Sequence, residues 1–424
     1  METNIDFCKM KVVIIAGGKG TRIASVAADI PKSMIPIAGK PVVEYQIELA
    51  KRYGFTDILF IVGHLGEQIE TYFGDGSRWG VTISYFHEQE PLGTSGALPL
   101  LVNQLTNEFW VFYGDTMMDF DMEAMLQAHQ QRGAKATLFL HPNDHPYDSD
   151  LVEIDEQGMV RAFISKPHDP AQDYRNLVNA ALYILNKDCV SYIPEGKSDF
   201  GKHIFPSLLT HQLPLAGYVS SEYIKDMGTP DRWAKVEKDV LSGKVARLNR
   251  KYPRPAIFLD RDGVICKEVN LLSQKQQVEL LPGAAEAIKQ INAAGYLAII
   301  VTNQPVIARN LCSLDDLADI HKRLETRLGE EHAFVDAIYF CPHHPDKGYP
   351  EERVEYKIEC ACRKPKPGML LQAASDWNID LQQSYMIGDR QWDVMAGEAA
   401  GVKKSVLIET NKADALLHAI NELL

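Results

Sequence analysis

Short apolar runs rich in Val, Ile and Leu alternate with longer amphipathic segments along both halves of the chain. In the first half the runs are KVVIIAGG, DILFIVG, FWVFYGD and ALYILN, and in the second half they are AIFLD, YLAIIVTN, AIYFCP, SYMIGD and KSVLIE. Continuous apolar runs separated by helical segments are typical of parallel or mixed sheets covered by helices. The pattern therefore predicts an α/β fold in each half.

The length of 424 residues exceeds what one ordinary hydrophobic core organises, so two domains are expected. Between the halves, the segment RWAKVEKDVLSGKVARLNRKYPRP ends a helix, passes Gly243 and finishes in a basic stretch between Pro253 and Pro255. Such a segment is a plausible junction. We predict a first domain at 1–244, a linker at 245–254 and a second domain at 255–424.

The formal net charge of −13 argues against a general nucleic-acid or anionic-membrane binder, because both need a net basic face. The net charge does not exclude binding of anionic small molecules, since a few local cations and N–H groups can hold them.

No apolar run approaches the roughly 18 residues of a membrane helix, and the start lacks the residue order of a signal peptide, so a cytoplasmic location is expected. The seven cysteines, three of them clustered late, suit a reducing compartment and metal binding. Homo-oligomerisation stays open.

The string AGGKGTR directly follows the first apolar run. Its glycines let the backbone approach a ligand closely, and consecutive N–H groups together with Lys19 and Arg22 could wrap a triphosphate. A plain strand-to-helix turn is the alternative. The spacing fits neither the dinucleotide fingerprint nor a P-loop.

Together with PKSMIPIAGKP at 31–41, this string resembles the signature of the sugar-1-phosphate nucleotidyltransferase family. The strings EPLGTSGAL, YGD, SKP, VNAALYIL and KDMGTPDRW then follow in the family's order. The resemblance implies a Rossmann-like mixed sheet of the glycosyltransferase-A type. A single Asp at a strand end is more often a cap or turn residue, but the ordered set favours the functional interpretation.

The resemblance also implies residue roles. It places Mg²⁺ at Asp115 and Asp226, pyrophosphate at Arg22, and the attacking phosphate at Lys32 and Lys166, and it assigns further nucleotide and sugar contacts to Gly17, Gly18, Gly20, Thr21, Gly93, Thr94 and Asn179. In such a reaction a sugar-phosphate oxygen attacks the α-phosphorus of a nucleoside triphosphate and expels pyrophosphate, which requires a divalent cation and fixed cationic side chains. Ser165 and Ala181 depart from the family's Glu and Gly, and both departures bear on sugar choice.

The string FLDRDG, after an apolar run in the second half, resembles motif I of the haloacid-dehalogenase-like phosphatases. The resemblance implies a Rossmannoid parallel sheet, with Asp260 as nucleophile and Asp262 as general acid and base. Paired carboxylates repel a phosphate, so Mg²⁺ and a lysine are needed. The family motifs supply them, with Mg²⁺ at Asp260, Asp262 and Asp389, support from Asp393, the cation at Lys364, and phosphate contacts at Thr302 and Asn303. Taken alone, the aspartate pair could be a capping turn.

The strings CPHHP and CAC give Cys-x-His followed by Cys-x-Cys. Three sulfurs and one imidazole suit tetrahedral Zn²⁺ with no open position, so this ion is expected to be structural. The predicted ligands are Cys341, His343, Cys360 and Cys362. His344 is interpreted as a bystander.

This zinc loop, placed just before RKPKPGM, resembles the D,D-heptose 1,7-bisphosphate phosphatases and the related histidinol-phosphate phosphatases. In that resemblance Arg363 would meet a distal phosphate or hydroxyl. The family's TNQSGIARG appears here as TNQPVIARN, so Pro305 and Val306 replace two small residues and Pro305 removes a backbone donor. The change could narrow the substrate range or weaken the phosphatase, although the catalytic groups are intact.

The joining of a transferase-like half and a phosphatase-like half in one chain narrows the choice of phosphatase substrate. Removing the 7-phosphate of a heptose 1,7-bisphosphate yields a sugar 1-phosphate, which is the acceptor class of the first half, whereas histidinol phosphate offers no such link. Enzymes of the GGxGTR type serve the GDP-D-glycero-α-D-manno-heptose route, so GTP is the first choice of nucleotide. We predict a bifunctional, cytoplasmic enzyme of nucleotide-heptose biosynthesis for surface polysaccharide or lipopolysaccharide. The alternative is a transferase for mannose or glucose 1-phosphate fused to a histidinol-phosphate-type or degenerate, regulatory phosphatase.

Overall fold

The structure is a computed structural model that describes residues 10–18, 29–348 and 351–424. The chain forms two compact units. The first contains the described residues up to His141 together with Val152–Ser165 and Asn179–Asn249, and the second contains Pro142–Leu151, Lys166–Val178 and the described residues from Arg250 to Leu424. Within the described ranges, every helix is too short or too polar to cross a membrane.

Thirteen strands and six α-helices precede residue 250 in the described part of the chain. The strands are β1 Lys11–Ala16, β2 Pro36–Ile37, β3 Lys40–Pro41, β4 Asp57–Val62, β5 Thr82–His87, β6 Glu108–Tyr113, β7 Thr116–Asp119, β8 Ala136–His141, β9 Leu151–Ile154, β10 Val160–Ile164, β11 Val178–Asn186, β12 Leu215–Val219 and β13 Tyr223–Asp226. The helices are α1 Val42–Arg52, α2 Gly66–Phe73, α3 Met122–Gln131, α4 Phe205–Thr210, α5 Pro230–Leu241 and α6 Lys244–Arg247.

The main sheet of this part has nine strands and is mixed. Its path runs β10-β9-β11-β6-β1-β4-β5, and β8 joins β12 to β11. Strand β1 is parallel to β4 and β6, whereas β11 is antiparallel to β6. Alternate residues of β1 enter two different cores, Val12 and Ile14 on one face and Val13 on the other, because successive side chains of a strand point to opposite faces. The predicted mixed sheet is confirmed.

The second sheet is entirely parallel, as predicted. Its five strands run in the order β16-β15-β14-β17-β18, formed by β14 Ala256–Leu259, β15 Leu297–Asn303, β16 Ala337–Cys341, β17 Tyr385–Gly388 and β18 Lys404–Leu407. The covering helices are α7 Ala284–Ala294, α8 Leu314–Glu330, α9 Gly368–Trp377, α10 Gln391–Ala400 and α11 Ala415–Leu423. The chain order reverses on either side of β14, and ligands of such sheets bind at the carboxyl ends of strands beside that point.

The stretches 142–151 and 166–178 pack on helix α8 within the second unit. The Asp173 side chain is 9% exposed, and its carboxylate lies 2.9 Å from Arg323 Nη1 and 3.1 Å from Lys275 Nζ. The backbone of Tyr174 donates to Thr326 Oγ1 at 2.8 Å and accepts from it at 3.2 Å. Helix α8 therefore buries a polar face in addition to the apolar face that it turns to the core.

Ala181 interrupts β11 with a φ of 57°, in the left-handed region that favours glycine. This conformation gives a physical reason for the glycine that the family commonly has here. We expect Ala181→Gly to raise the free energy of unfolding of the first unit by about 1 kcal/mol. Calorimetry of the full-length protein measures the change as a rise in the first unit's transition temperature.

The neighbouring variant Ala180→Gly is the matched control, because Ala180 keeps ordinary strand geometry and packs against the core. It should lower stability by about 0.5–1 kcal/mol. If both glycine variants destabilise the first unit to the same extent, the left-handed backbone at Ala181 is not strained.

His321 of helix α8 packs against Phe340, with ring centroids 5.7 Å apart, and its Nε2 is buried without a hydrogen-bond partner among the described residues. Burial, followed by the positive charges of Arg261 and Arg175, holds the pKa of His321 well below 6.5. The folded unit keeps this imidazole neutral, whereas the unfolded chain takes up a proton as the pH falls through about 6.5. The second unit should therefore lose up to about 1.4 kcal/mol per pH unit below that value.

His321→Phe is expected to flatten this acid sensitivity. Calorimetric transition temperatures of the second unit at pH 7 and pH 5.5 would measure it, with the exposed His418→Gln as the control that keeps the wild-type slope. Equal slopes in all three proteins would show that another group carries the pH dependence.

Candidate active sites and metal centre

The glycine loop begins at the carboxyl end of β1. Gly17 and Gly18 lie within the described residues, whereas Lys19 and the predicted contacts Gly20, Thr21 and Arg22 lie outside them. A Cβ at Gly17 would lie 2.4 Å from Glu88 Oε2, so a side chain there would collide with this carboxylate. Burial raises the pKa of Glu88.

Lys32, Asp115 and Asp226, predicted from three separate strings, come together in the first unit. Asp115 follows β6 and forms an ion pair with Lys32. Strand β13 pairs antiparallel with β7 so that Asp226 lies opposite Thr116, and Met227 N donates to Asp115 O at 3.0 Å. Two carboxylates on neighbouring backbone segments are a donor set that fits Mg²⁺, which binds one or two carboxylates and completes its shell with water and substrate phosphates.

Arg232 is a residue of this site that the sequence analysis missed. Its Nη1 donates to both carboxylate oxygens of Asp226, at 2.7 and 2.9 Å. Arg232 foremost, and Lys32 to a lesser extent, lower the pKa of Asp226 against the opposing effect of burial. Arg232 belongs to the same KDMGTPDRW string as Asp226 and stands in the first turn of α5, but its spacing alone does not predict this ion pair.

The predicted nucleotide contacts Gly93 and Thr94 lie against the chain at 198–200. Gly93 has a φ of 79°, and a Cβ there would lie 2.2 Å from Ser198 O, so glycine is required. Thr94 N donates to the same carbonyl at 2.9 Å, and Thr94 Oγ1 donates to Asp199 Oδ2 at 3.0 Å. These bonds fix the backbone of the loop.

The two predicted sugar contacts belong to different units. Lys166 is part of the second unit, where its Nζ donates to Asp148 O at 2.7 Å. Asn179 is part of the first unit, where its Nδ2 donates to Tyr183 OH at 3.0 Å.

Asp260 follows β14 directly and lies at the carboxyl edge of the parallel sheet. The fully enclosed Lys364 Nζ lies 3.1 Å from Asp260 Oδ1 and 2.6 Å from Asp393 Oδ1, and it donates to Val301 O at 2.7 Å. Burial raises the pKa of Asp260 to about 6, and Lys364 opposes that shift. A buried carboxylate beside a buried ammonium is an arrangement in which one oxygen can attack phosphorus while the cation offsets the added charge.

The carboxylates of Asp260, Asp389 and Asp393 offer oxygens that all lie within 4.8 Å of one another. This donor set fits a divalent cation that prefers oxygen ligands. Thr410 Oγ1, which the sequence analysis missed, donates to Asp389 Oδ2 at 2.7 Å and orients it. The structure thus brings together two of the three predicted Mg²⁺ ligands and the predicted supporting residue.

The Asp262 carboxylate, also predicted as a Mg²⁺ ligand, lies outside this group. Arg261 holds it with Nε and Nη2 at 2.9 and 2.8 Å, and Gln304 Nε2 donates to it at 2.9 Å. Held in this way, the carboxylate has the fixed orientation that a general acid and base requires. Neither Arg261 nor Gln304 was identified from the sequence, although both flank predicted site residues.

The remaining predicted residues of the second unit surround this centre. Thr302 is buried and accepts from Gln304 Nε2 at 2.8 Å. The Asn303 side-chain amide donates from Nδ2 to Lys364 O at 3.1 Å and accepts at Oδ1 from Lys364 N at 3.0 Å, and so positions the lysine. Arg363 Nη1 donates to His343 O at 3.1 Å. Val306 is 1% exposed and packs in the core, which explains why an apolar residue is accommodated at this position.

The predicted zinc ligands Cys341, His343, Cys360 and Cys362 form one cluster. The three sulfur atoms lie 3.2, 3.2 and 3.5 Å apart, and His343 Nδ1 lies 3.4 and 3.7 Å from the two sulfurs that it contacts. Tetrahedral sulfur ligands at about 2.3 Å from zinc would be roughly 3.8 Å apart. The distances in this cluster are slightly shorter, so the ligand atoms need to move apart only a little to coordinate zinc. His344 instead accepts from Asp346 N at 3.2 Å and stands outside the cluster.

Comparison with known proteins identifies the first half. The nucleotidyl transferase family matches residues 11–243, which is more than half of the chain. The chain belongs to this family. This nucleotidyl transferase is 34% identical over 257 residues to a UTP--glucose-1-phosphate uridylyltransferase of Synechocystis and 32% identical over 238 residues to a mannose-1-phosphate guanylyltransferase of Mycobacterium tuberculosis. These matches cover 56% and 55% of the chain, and they span 65% and 66% of the lengths of those proteins.

The second half of this nucleotidyl transferase belongs to the haloacid dehalogenase-like hydrolases, whose family matches residues 214–401. It is 42% identical over 159 residues to a D-glycero-beta-D-manno-heptose-1,7-bisphosphate 7-phosphatase of Pasteurella multocida. That match covers 38% of this chain and 84% of the relative. The predicted fusion of a nucleotidyltransferase with a haloacid-dehalogenase-like phosphatase is therefore confirmed.

Proposed function

We propose that this chain catalyses two successive steps of nucleotide-heptose synthesis. The second unit removes the 7-phosphate of a heptose 1,7-bisphosphate, and the first joins the resulting heptose 1-phosphate to GMP from GTP. The observation that carries the proposal is the joining, in one chain, of a hydrolase close to heptose-bisphosphate 7-phosphatases and a transferase of sugar-1-phosphate type. The product of the first reaction belongs to the substrate class of the second.

In the phosphatase step, an oxygen of Asp260 forms a bond to the phosphorus of the 7-phosphate as the bond from phosphorus to the sugar oxygen breaks. Asp262 gives a proton to that leaving oxygen, then takes one from a water that attacks the aspartyl-phosphate and releases inorganic phosphate. Lys364, 3.1 Å from Asp260, offsets the charge of the transferring group. Mg²⁺ held by Asp260, Asp389 and Asp393 would supply further charge neutralisation.

In the transferase step, a phosphate oxygen of heptose 1-phosphate attacks the α-phosphorus of GTP, and the bond to the departing pyrophosphate breaks. No protein nucleophile is required, so the first unit acts by orientation and charge. Lys32 and Arg232, which form ion pairs with Asp115 and Asp226, would supply the positive charge toward the reacting phosphates. Asp115 and Asp226 would hold Mg²⁺, which would offset the negative charge that develops on the phosphates.

The choice of GTP and of the α-anomer rests on the resemblance to the GDP-heptose route. The mannose-1-phosphate guanylyltransferase relative supports guanine, whereas the slightly more similar uridylyltransferase supports uracil with a glucose-type sugar. The phosphatase relatives carry the beta anomer in their names. The deciding experiment must therefore vary the base and the anomer together.

Full-length protein would be incubated with Mg²⁺, one nucleoside triphosphate (ATP, GTP, CTP, UTP or dTTP), and the α or β anomer of D-glycero-D-manno-heptose 1,7-bisphosphate. Parallel incubations would contain glucose 1-phosphate in place of the bisphosphate. Mass spectrometry would follow phosphate, pyrophosphate and nucleotide-sugar. We expect phosphate release followed by GDP-heptose from the α-anomer. UDP-sugar formation from glucose 1-phosphate, without phosphate release from either heptose bisphosphate, would contradict the proposal and favour the alternative sugar.

The cysteine cluster gives a separate prediction about zinc. Cys362→Ala removes one sulfur of the four ligands, so we expect the protein to lose about one zinc per chain and the second unit to melt at a lower temperature, because bound zinc contributes folding free energy. Elemental analysis and calorimetry measure the two effects. His344→Ala is the matched control and should keep the metal, whereas zinc loss in that variant would move the ligand assignment from His343 to its neighbour.

A further inference from the structure

Both carboxylates assigned to the transferase metal are already paired with cations. Lys32 pairs with Asp115, and Arg232 donates to both oxygens of Asp226 at 2.7 and 2.9 Å. The formal charges of these four groups sum to zero. A divalent cation that enters such a site gains little net attraction, because it must first displace the Lys32 ammonium and the Arg232 guanidinium from the carboxylates.

The pairing of Arg232 with Asp226 is built into the local chain. Gly228 N donates to Asp226 Oδ2 at 3.1 Å, and Thr229 Oγ1 accepts from Arg232 N at 3.4 Å, so the turn folds back on the aspartate. Trp233 Nε1 donates to Pro36 O at 3.0 Å and fixes the start of α5. The Arg232 side chain nevertheless remains 28% exposed, which leaves the guanidinium free to exchange partners.

We propose that Arg232 and Lys32 are internal counter-ions that keep the divalent cation out of the transferase site until the nucleotide arrives. The inference rests on the proposed function, since it concerns that same site. Triphosphate oxygens complete the shell of Mg²⁺ and at the same time offer the guanidinium a bidentate partner to replace Asp226. The metal therefore enters with the nucleotide, and Arg232 passes from the carboxylate to the phosphates.

Mn²⁺ binding tests this inference by a readout other than activity. Electron paramagnetic resonance of free Mn²⁺ would be recorded with full-length, zinc-loaded protein carrying Asp389→Asn, which weakens the candidate cation site of the second unit. We expect this background to bind Mn²⁺ in the first unit only when a methylene-bridged analogue of the accepted nucleotide is present. Adding Arg232→Met should create nucleotide-independent binding at least about tenfold tighter than the background.

Two controls identify the origin of the gained binding. Arg247→Met removes an exposed arginine of the same unit and should leave Mn²⁺ binding unchanged. Combining Arg232→Met with Asp226→Asn should abolish the gain. If the background and Arg232→Met bind Mn²⁺ equally well without nucleotide, the inference is overturned and the proposed function is left intact. Failure to bind Mn²⁺ with analogues of all the nucleotides would overturn both.

Discussion

Asp260→Asn is expected to slow phosphate release from heptose 1,7-bisphosphate by at least about a thousandfold. Asparagine keeps the shape of the side chain but lacks the anionic oxygen that attacks phosphorus. It also leaves Lys364 with one carboxylate partner, Asp393, in place of two. Single-turnover phosphate release measures the effect, and mass spectrometry of acid-quenched wild-type protein would detect phosphate on Asp260 that the variant lacks.

The same variant should still form nucleotide-sugar when heptose 1-phosphate is supplied directly. Asp380→Asn is the matched control, because Asp380 caps the turn at Leu381–Gln383 and asparagine caps equally well. It should leave phosphate release unchanged. If Asp260→Asn and Asp380→Asn behaved alike, Asp260 would be a turn residue and the nucleophile would have to lie elsewhere.

The fold was predictable where apolar runs determine it. The run KVVIIA is buried almost throughout and pairs in parallel with two neighbours, and AIFL takes the central place in a parallel sheet. The resemblance to the phosphatase motifs assigned Asp260 and Asp389 to one site, and both residues follow strands whose carboxyl ends meet at one edge of the sheet. The zinc cluster was predictable from the Cys-x-His and Cys-x-Cys patterns, because ligands two residues apart at a strand end or in a turn lie side by side.

The partners of the predicted residues were much harder to identify. Arg261 and Arg232 each hold a predicted aspartate, but nothing in their spacing tells a buried counter-ion from a solvated arginine. Thr410 reaches Asp389 from a segment 21 residues later in the chain. Such contacts depend on the paths of loops, which hydrophobic periodicity does not determine.

The packing of 142–151 and 166–178 on helix α8 was also not predicted. The motif order places SKP in the transferase half, whereas Lys166 and the residues after it cluster with the second unit. The polar residues involved, Asp173, Thr326 and Glu325, look like an ordinary solvated face in the sequence. Their burial becomes visible only when both partners are placed.

Asp115→Asn is expected to lower the rate of nucleotidyl transfer by about a thousandfold while leaving phosphate release unchanged. The substitution removes one of the two carboxylates assigned to the metal and also the partner of Lys32. Because the transferase has no protein nucleophile in the proposed mechanism, it acts mainly through placed charges. Loss of the Asp115 carboxylate should therefore lower mainly kcat. Pyrophosphate release measures it, with Asp121→Asn as the matched control, since Asp121 caps helix α3.

The two aspartate variants can then be tested against each other. Asp260→Asn should make heptose 1-phosphate far more slowly than the wild type, and Asp115→Asn should use it far more slowly, so either variant alone should form nucleotide-sugar from the bisphosphate and GTP only at a strongly reduced rate. An equal mixture should form it much faster after a lag, because the sugar 1-phosphate made by one protein diffuses to the other. A mixture that releases phosphate but never forms nucleotide-sugar, although Asp260→Asn accepts added heptose 1-phosphate of the matching anomer, would mean that the phosphatase product is not the transferase acceptor. The order of reactions that justifies the fusion would then be wrong.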